Sequence, residues 1–169
     1  MNKNILTILL TVATGLLISC GNDDSQDPPS VLGTWHIIEQ SLTSNYPEYD
    51  KNANNLFKED HKNYYLKREI AQVEPGVGSI KTTATAKNST SEVPERNRLD
   101  TYTITKDTMY VSDQRLGMTK YTMRLDYEVF ITYMEVTKYE LDKIITEIGG
   151  EKALIPDNIV GKIKMVERR

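Results

Sequence analysis

Between Lys120 and Met134 every odd position is apolar or aromatic: Tyr121, Met123, Leu125, Tyr127, Val129, Ile131 and Tyr133. The even positions between them include Thr122, Arg124, Asp126, Glu128 and Thr132. Side chains of an extended chain alternate between two faces, so the pattern demands β structure with one oily and one wet face. A helix would spread the same residues around its whole circumference. The run covers about fourteen residues, about 45 Å at ~3.3 Å per residue, which is long for a flat sheet. A single coiled strand wrapping a barrel would accommodate it, and so would two strands joined near Asp126. Composition points the same way. Ten Tyr stand against two Phe and one Trp, Thr is abundant, and both Tyr and Thr favour pleated surfaces.

Other segments carry shorter versions of the same signal. Val31 to Leu42 alternates, with Leu32, Thr34, His36 and Ile38 on one side and Trp35 and Ile37 on the other. Thr101 to Asp113 reads as two strands around Lys106-Asp107, Ser79 to Ala86 as one more, and Ile159 to Val166 as a final strand. Lys87 to Arg98 is polar and reads as a loop. The period changes after Thr137. Thr137 and Glu140 form a capping box, Leu141, Ile144, Ile145 and Ile148 fall on one helical face, and Gly149-Gly150 supplies the stop. One amphipathic helix near the C-terminus is expected there.

The N-terminus has a different character. After Lys3 comes an uncharged run of fourteen residues, Ile5 to Ile18. It has the form of an export signal, and it is short of the ~20 residues a spanning helix needs. The only cysteine of the chain, Cys20, follows it directly. Then "GNDDSQDPPS" holds three Asp, two Pro and almost nothing apolar. Such a stretch cannot fold alone and reads as a tether reaching about 33 Å at most. The expected organisation is a signal over residues 1–19, a tethering segment over 20–30 and one domain over 31–169. Removing residues 1–19 from the 169 leaves 150, one ordinary domain with its tether. Only Lys3 is lost, so the formal charge moves from −3 to −4. With no basic stripe, nucleic acid is not an expected partner.

Two resemblances extend this reading. Leu17-Ile18-Ser19-Cys20 resembles the lipobox of bacterial lipoproteins, which implies a thioether-linked diacylglycerol on Cys20, cleavage before it and acylation of the new amine. Two or more acyl chains hold a protein stably at a bilayer. The acidic residues after Cys20 resemble the surface-export signal of Bacteroidetes lipoproteins, so the expected location is the outer membrane of a cell envelope, on either leaflet. Gly33-Thr34-Trp35 resembles the G-x-W opening of lipocalins and of Bacteroidetes lipocalin-like lipoproteins. That resemblance implies a mainly β fold, an antiparallel barrel of about eight strands. Gly33 would permit a bend and Trp35 would plug the closed end. Asn55 to Tyr65 partly resembles the "F-x-x-D-G-x-Y" hairpin of the same proteins, with Phe57 and Tyr64 facing the core; a short helix over Asn52 to Lys62 is the competing reading.

Catalytic signatures are missing from the sequence: no G-x-S-x-G elbow, phosphate loop or H-E-x-x-H occurs. His36 and His61 lie in different segments, so neither a metal nor a cofactor is expected. Glu59-Asp60 reads as a solvated pair. Asp107-Thr108-Met109 matches a short O-glycosylation pattern of Bacteroidetes at Thr108, and equally an ordinary hairpin turn. Tyr102, Tyr110, Tyr121, Tyr127 and Tyr133 are the candidate lining of a barrel interior, where hydroxyls suit a small hydrophobic or amphipathic ligand. The alternative is a filled barrel that presents loops such as Lys87 to Arg98 to another protein of the envelope.

Overall fold

The computed structural model describes residues 30–88, 95–151 and 154–169. The expected signal, Cys20 and all of the tether but Ser30 lie outside them, as does the middle of the polar loop. Eight strands follow one another around a closed barrel: β1 Gly33–Ser44, β2 Tyr64–Glu74, β3 Val77–Ala86, β4 Arg96–Thr105, β5 Thr108–Asp113, β6 Gly117–Leu125, β7 Val129–Thr137 and β8 Val160–Arg168. Each strand is antiparallel to the next, and β8 returns to pair with β1 from Gly161–Ser44 to Arg168–His36. Helix α1, Pro47–Asn63, joins β1 to β2, and α2, Lys138–Glu147, joins β7 to β8. Both helices therefore sit over the same end, the mouth. Tight turns join the strands at the opposite end.

The long alternating run is two strands, and the turn between them inverts its phase. Leu125 lies opposite Phe130, and directly opposed residues of an antiparallel pair share a face. Odd positions thus point inward on β6, whereas Phe130, Thr132, Met134 and Val136 are the buried residues of β7. Ile131 and Tyr133 turn outward. On β1, Trp35 and Ile37 point inward as their alternation predicts, until a bulge between Ile37 and Glu39 shifts the register. Beyond it Leu42 is the buried residue.

The expected hairpin at Asn55 to Tyr65 is instead the end of α1, up to Asn63, and the first two residues of β2, and α1 begins five residues before the competing helix reading. Its first turn holds Pro47, Glu48 and Asp50, which suit a helix start. Tyr49, Ala53 and Phe57 recur every four residues and are buried. Without a turn glycine, nothing bends the chain back. Side chains of α1 also complete the upper half of β1, which pairs with β2 only from Gly33 to His36. Asn54 accepts from the Leu42 N–H at 2.7 Å and donates to the Leu42 carbonyl at 3.0 Å. Asp50 accepts from the Ser44 N–H at 2.7 Å.

The second helix forms where the capping box predicts, with the Glu140 carboxylate accepting from the Thr137 N–H at 2.8 Å. It is followed by β8, so it is not terminal, and it is the second of two helices among the described residues. At the far end the Trp35 indole is fully buried, donates to the Val31 carbonyl at 2.7 Å and lies 5.4 Å from the Phe130 ring. The Arg169 guanidinium covers its other side at 4.5 Å. Gly33, at φ 120, makes the backbone bend that leads into this plug.

Gly78 on β3 faces Tyr102 on β4. A Cβ there would lie 2.0 Å from the Ala71 carbonyl and 2.8 Å from the Tyr102 ring. Gly78→Val is therefore expected to destabilise the barrel by about 3 kcal/mol through overpacking, read as a lowered thermal midpoint. An unchanged midpoint would contradict the packing described.

Candidate functional site

The interior of the barrel changes character along its axis. Deep inside, Trp35, Phe130, Met109 and Ile80 form an apolar floor with less than 2 % exposure. Towards the mouth the inward positions are charged. Strand β4 turns Arg96, Arg98 and Asp100 inward in succession, β5 ends on Asp113, and the next turn contributes Arg115. From above, α1 places Asp60 and α2 places Glu147 against these groups. The roof helices and this ring enclose a cavity of about 120 Å3. Ile80, Val111, Met134 and Ile163 form part of its apolar wall, and Arg68, Arg98, Asp113, Arg115 and Glu147 part of its polar one.

Charges withdrawn from water must be paired and hydrogen-bonded to persist, and here they are. Both oxygens of Asp60 accept from Arg96 at 2.7 Å. Asp100 accepts from Arg98 Nε at 2.6 Å and from the Gln114 N–H at 3.2 Å. Asp113 accepts from the N–H groups of Arg115 and Leu116 at 2.7 and 3.1 Å, and from Arg115 Nη2 at 3.1 Å. Burial alone would push the Asp113 carboxyl up. The hydrogen bonds and charge of Arg115, with Arg98 beyond, outweigh that and hold it below its ordinary value. The Glu147 carboxylate bridges two guanidinium groups, with one oxygen on Arg115 Nη1 and the other 3.9 Å from Arg98 Nη1.

Deeper in, Arg68 Nη1 donates to Glu167 at 2.6 Å, with the two side chains 6 % and 0 % exposed. Burial pushes the Glu167 carboxyl up, and the Arg68 charge and hydrogen bond offset this only in part. Among the described residues, Glu167 Oε2 and Thr132 Oγ1 have no hydrogen-bond partner. Burial also raises the Tyr121 hydroxyl, which sits within the field of Arg68, Asp113, Arg98 and Arg115.

Of the five tyrosines expected inside, the barrel takes in two. Tyr121 lines the cavity, and Tyr102 is buried against Gly78. Tyr110 and Tyr127 are 40 % and 44 % exposed, the first on the outer face of β5 and the second in the turn after β6. Tyr133 lies half-buried on the outer face of β7, because the turn inverts the phase there. Asp60, expected to be solvated, is buried on Arg96; its neighbour Glu59 is exposed and pairs with Lys62. His36 is exposed on β1, whereas burial lowers His61 on α1. Among the described residues no group of three or more His, Cys, Asp or Glu is placed to hold a metal. Thr108 opens β5 directly after the Lys106-Asp107 turn. The charged ring itself is absent from the sequence expectations. Its signal is there, as Arg96, Arg98, Asp100 and Tyr102 alternate with outward neighbours as a strand does, but the alternation is of charge.

Removing one member of a buried ion pair strands the other. Arg68→Met is expected to lose about 3–5 kcal/mol at pH 7, measured by denaturant unfolding. The stranded Glu167 would have a folded-state pKa above its ordinary 4.5, so the fold would bind the proton more tightly than the unfolded chain. The cost of Arg68→Met relative to the parent should therefore be smallest at acid pH and grow as pH rises through that folded-state value. Adding Glu167→Gln should recover part of the loss and remove this pH dependence.

No protein-family model matches the chain, and no curated protein matches it. Among solved structures, a chain similar in shape is lobster apocrustacyanin A1, from a crystal structure obtained with softer X-rays. The two are 11 % identical, with a TM-score of 0.44; the match covers 82 % of this chain and 59 % of that one.

Proposed function

We propose that the protein is a noncatalytic carrier, anchored to a cell-envelope membrane by lipid on Cys20, whose lipocalin-like barrel holds a small amphipathic molecule beneath α1 and α2. The observation that carries this reading is the interior cavity, apolar on the barrel side and ringed by arginines and carboxylates at the mouth. Such a space offers an oily slot to one end of a guest and hydrogen bonds to the other. Its volume is about 120 Å3. The guest is therefore compact, or extends out of the mouth. The same small volume favours the second reading, a filled barrel that presents its outer surface to another envelope protein. The lipobox resemblance at Leu17 to Cys20, with an acidic stretch behind it, supports the anchor and an outer-membrane location.

Two measurements test these points. Native mass spectrometry of the full chain purified from its own host should show a retained small molecule. Val111→Phe, which fills the cavity, should lose that molecule while keeping its β circular-dichroism spectrum. A chain that carries nothing and co-purifies with another polypeptide would favour the filled-barrel reading. In cells, labelled palmitate should attach to the protein and fail to attach to Cys20→Ser; equal labelling of both would remove the anchor.

A further inference from the structure

The carboxylates of the mouth are not held alike. Asp100 and Asp113 are buried, and both accept backbone N–H groups as well as arginine. Asp60 is buried and doubly bonded to Arg96. Glu147 differs: its side chain is 27 % exposed, and among the described residues its partners are Arg98 and Arg115. It also ends α2, where the helix dipole disfavours a negative charge, and no basic residue stands in that last turn. Among the described residues, the arginines hold it in place.

Each Glu147 oxygen faces a different guanidinium. Arg98 already spends Nε on Asp100, and Arg115 spends Nη2 on Asp113. Among the described residues Glu147 is the partner of Arg98 Nη1 and of Arg115 Nη1. Take that carboxylate away and two N–H-bearing groups, one from β4 and one from the β5–β6 turn, converge on one position. It lies at the open side of a cavity whose far wall is Ile80, Val111, Met134 and Ile163. An oxyanion can face both guanidinium groups there, as Glu147 does by pairing with Arg115 Nη1 and standing 3.9 Å from Arg98 Nη1.

We infer that Arg98 and Arg115 form the head-group site for an anionic amphiphile, a compact oxyanion on a short apolar chain, and that Glu147 occupies this site in the ligand-free protein. The ligand's oxyanion replaces the Glu147 carboxylate on the two guanidinium groups, and its chain lies against the apolar wall. One anion is exchanged for another, so the ring keeps its charge balance. This rests on the carrier reading and deepens it, by naming the chemical class of the guest.

Calorimetric titration of the full chain with hexanoate, hexyl phosphate, hexan-1-ol and hexylammonium tests the assignment. At neutral pH, hexanoate or hexyl phosphate should bind about tenfold more tightly than hexan-1-ol, because charge-assisted hydrogen bonds exceed neutral ones. The better of the two anions identifies the head as carboxylate or phosphate. Glu147→Gln removes the competing carboxylate; it should tighten the anion several-fold and leave hexan-1-ol unchanged. Equal binding of alcohol and anion, preference for hexylammonium, or a Glu147→Gln variant that binds the anion no better would overturn the inference and leave the carrier reading intact. No binding of any of the four, with no molecule retained from the host, would overturn both. The wild-type comparison of anion with alcohol stands by itself should Glu147→Gln fold poorly.

Discussion

Closure of the sheet between β1 and β8 is the constraint on which the rest of the structure depends. A strand left at an edge exposes a row of unpaired backbone groups; a closed barrel has no edges. Closing eight strands also fixes the interior at a width that side chains nearly fill. Two local features adapt β1 to that demand. The bulge between Ile37 and Glu39 bends it and shifts its register. Gly161 lets β8 approach closely, since a Cβ there would come within 2.8 Å of the Ser44 side chain. The bend has a consequence at the mouth, because upper β1 loses β2 as a neighbour. Asn54 and Asp50 of α1 take over the freed backbone groups, which ties a helix to the barrel by hydrogen bonds as well as by its apolar face.

A narrow interior leaves little room for water around charges, yet four arginines point into this one. They persist because each meets carboxylate at hydrogen-bond distance, and because Asp100 and Asp113 are themselves fixed by backbone N–H groups. Arg68 and Glu167 form the exception in quality. Their contact is short, but Glu167 Oε2 lacks a partner among the described residues, so the carboxylate is only half satisfied there. That is why burial wins there and raises its pKa, whereas at Asp113 the arginines win. The same physics gives opposite signs at two sites in one barrel, decided by the number of donors.

What the sequence reveals follows from these facts. Hydrophobic alternation finds strands whose inner face is oily, and so β1, β5 and β6 and the capped helix α2 stand out. It is blind where the inner face is charged. Strand β4 begins at Arg96 with three charged inward residues and so resembles a loop. In β2 the inward Arg68 interrupts Tyr64, Leu66 and Ile70. Alternation also carries no phase through a turn. Asp126 to Glu128 flips it, and Tyr133 goes to the outside for that reason alone. The role of Glu147 is not legible at all, because it depends on the end of a helix meeting a strand and a turn distant in the chain.

The two ends of the barrel are closed by different means, and the difference bears on how anything could enter. At the far end the closure is packing: Trp35 is wedged against Phe130, covered by Arg169, and held by the Val31 carbonyl. Nothing there can leave without opening the core. At the mouth, α1 is bonded to β1 through backbone groups that would be orphaned by its departure, which makes its displacement costly. The last turn of α2 packs into the core through Ile144 and Ile145, and its polar contacts are Glu147 on Arg98 and Arg115 and Arg96 donating to the Glu147 carbonyl at 3.4 Å. These are partly exposed ionic contacts, weak relative to buried ones, and an external anion can substitute for the carboxylate among them. Among the described contacts at the mouth, those between α2 and the arginines of β4 and the β5–β6 turn are therefore the ones open to exchange with an external anion, and the polar lining of the cavity lies there too.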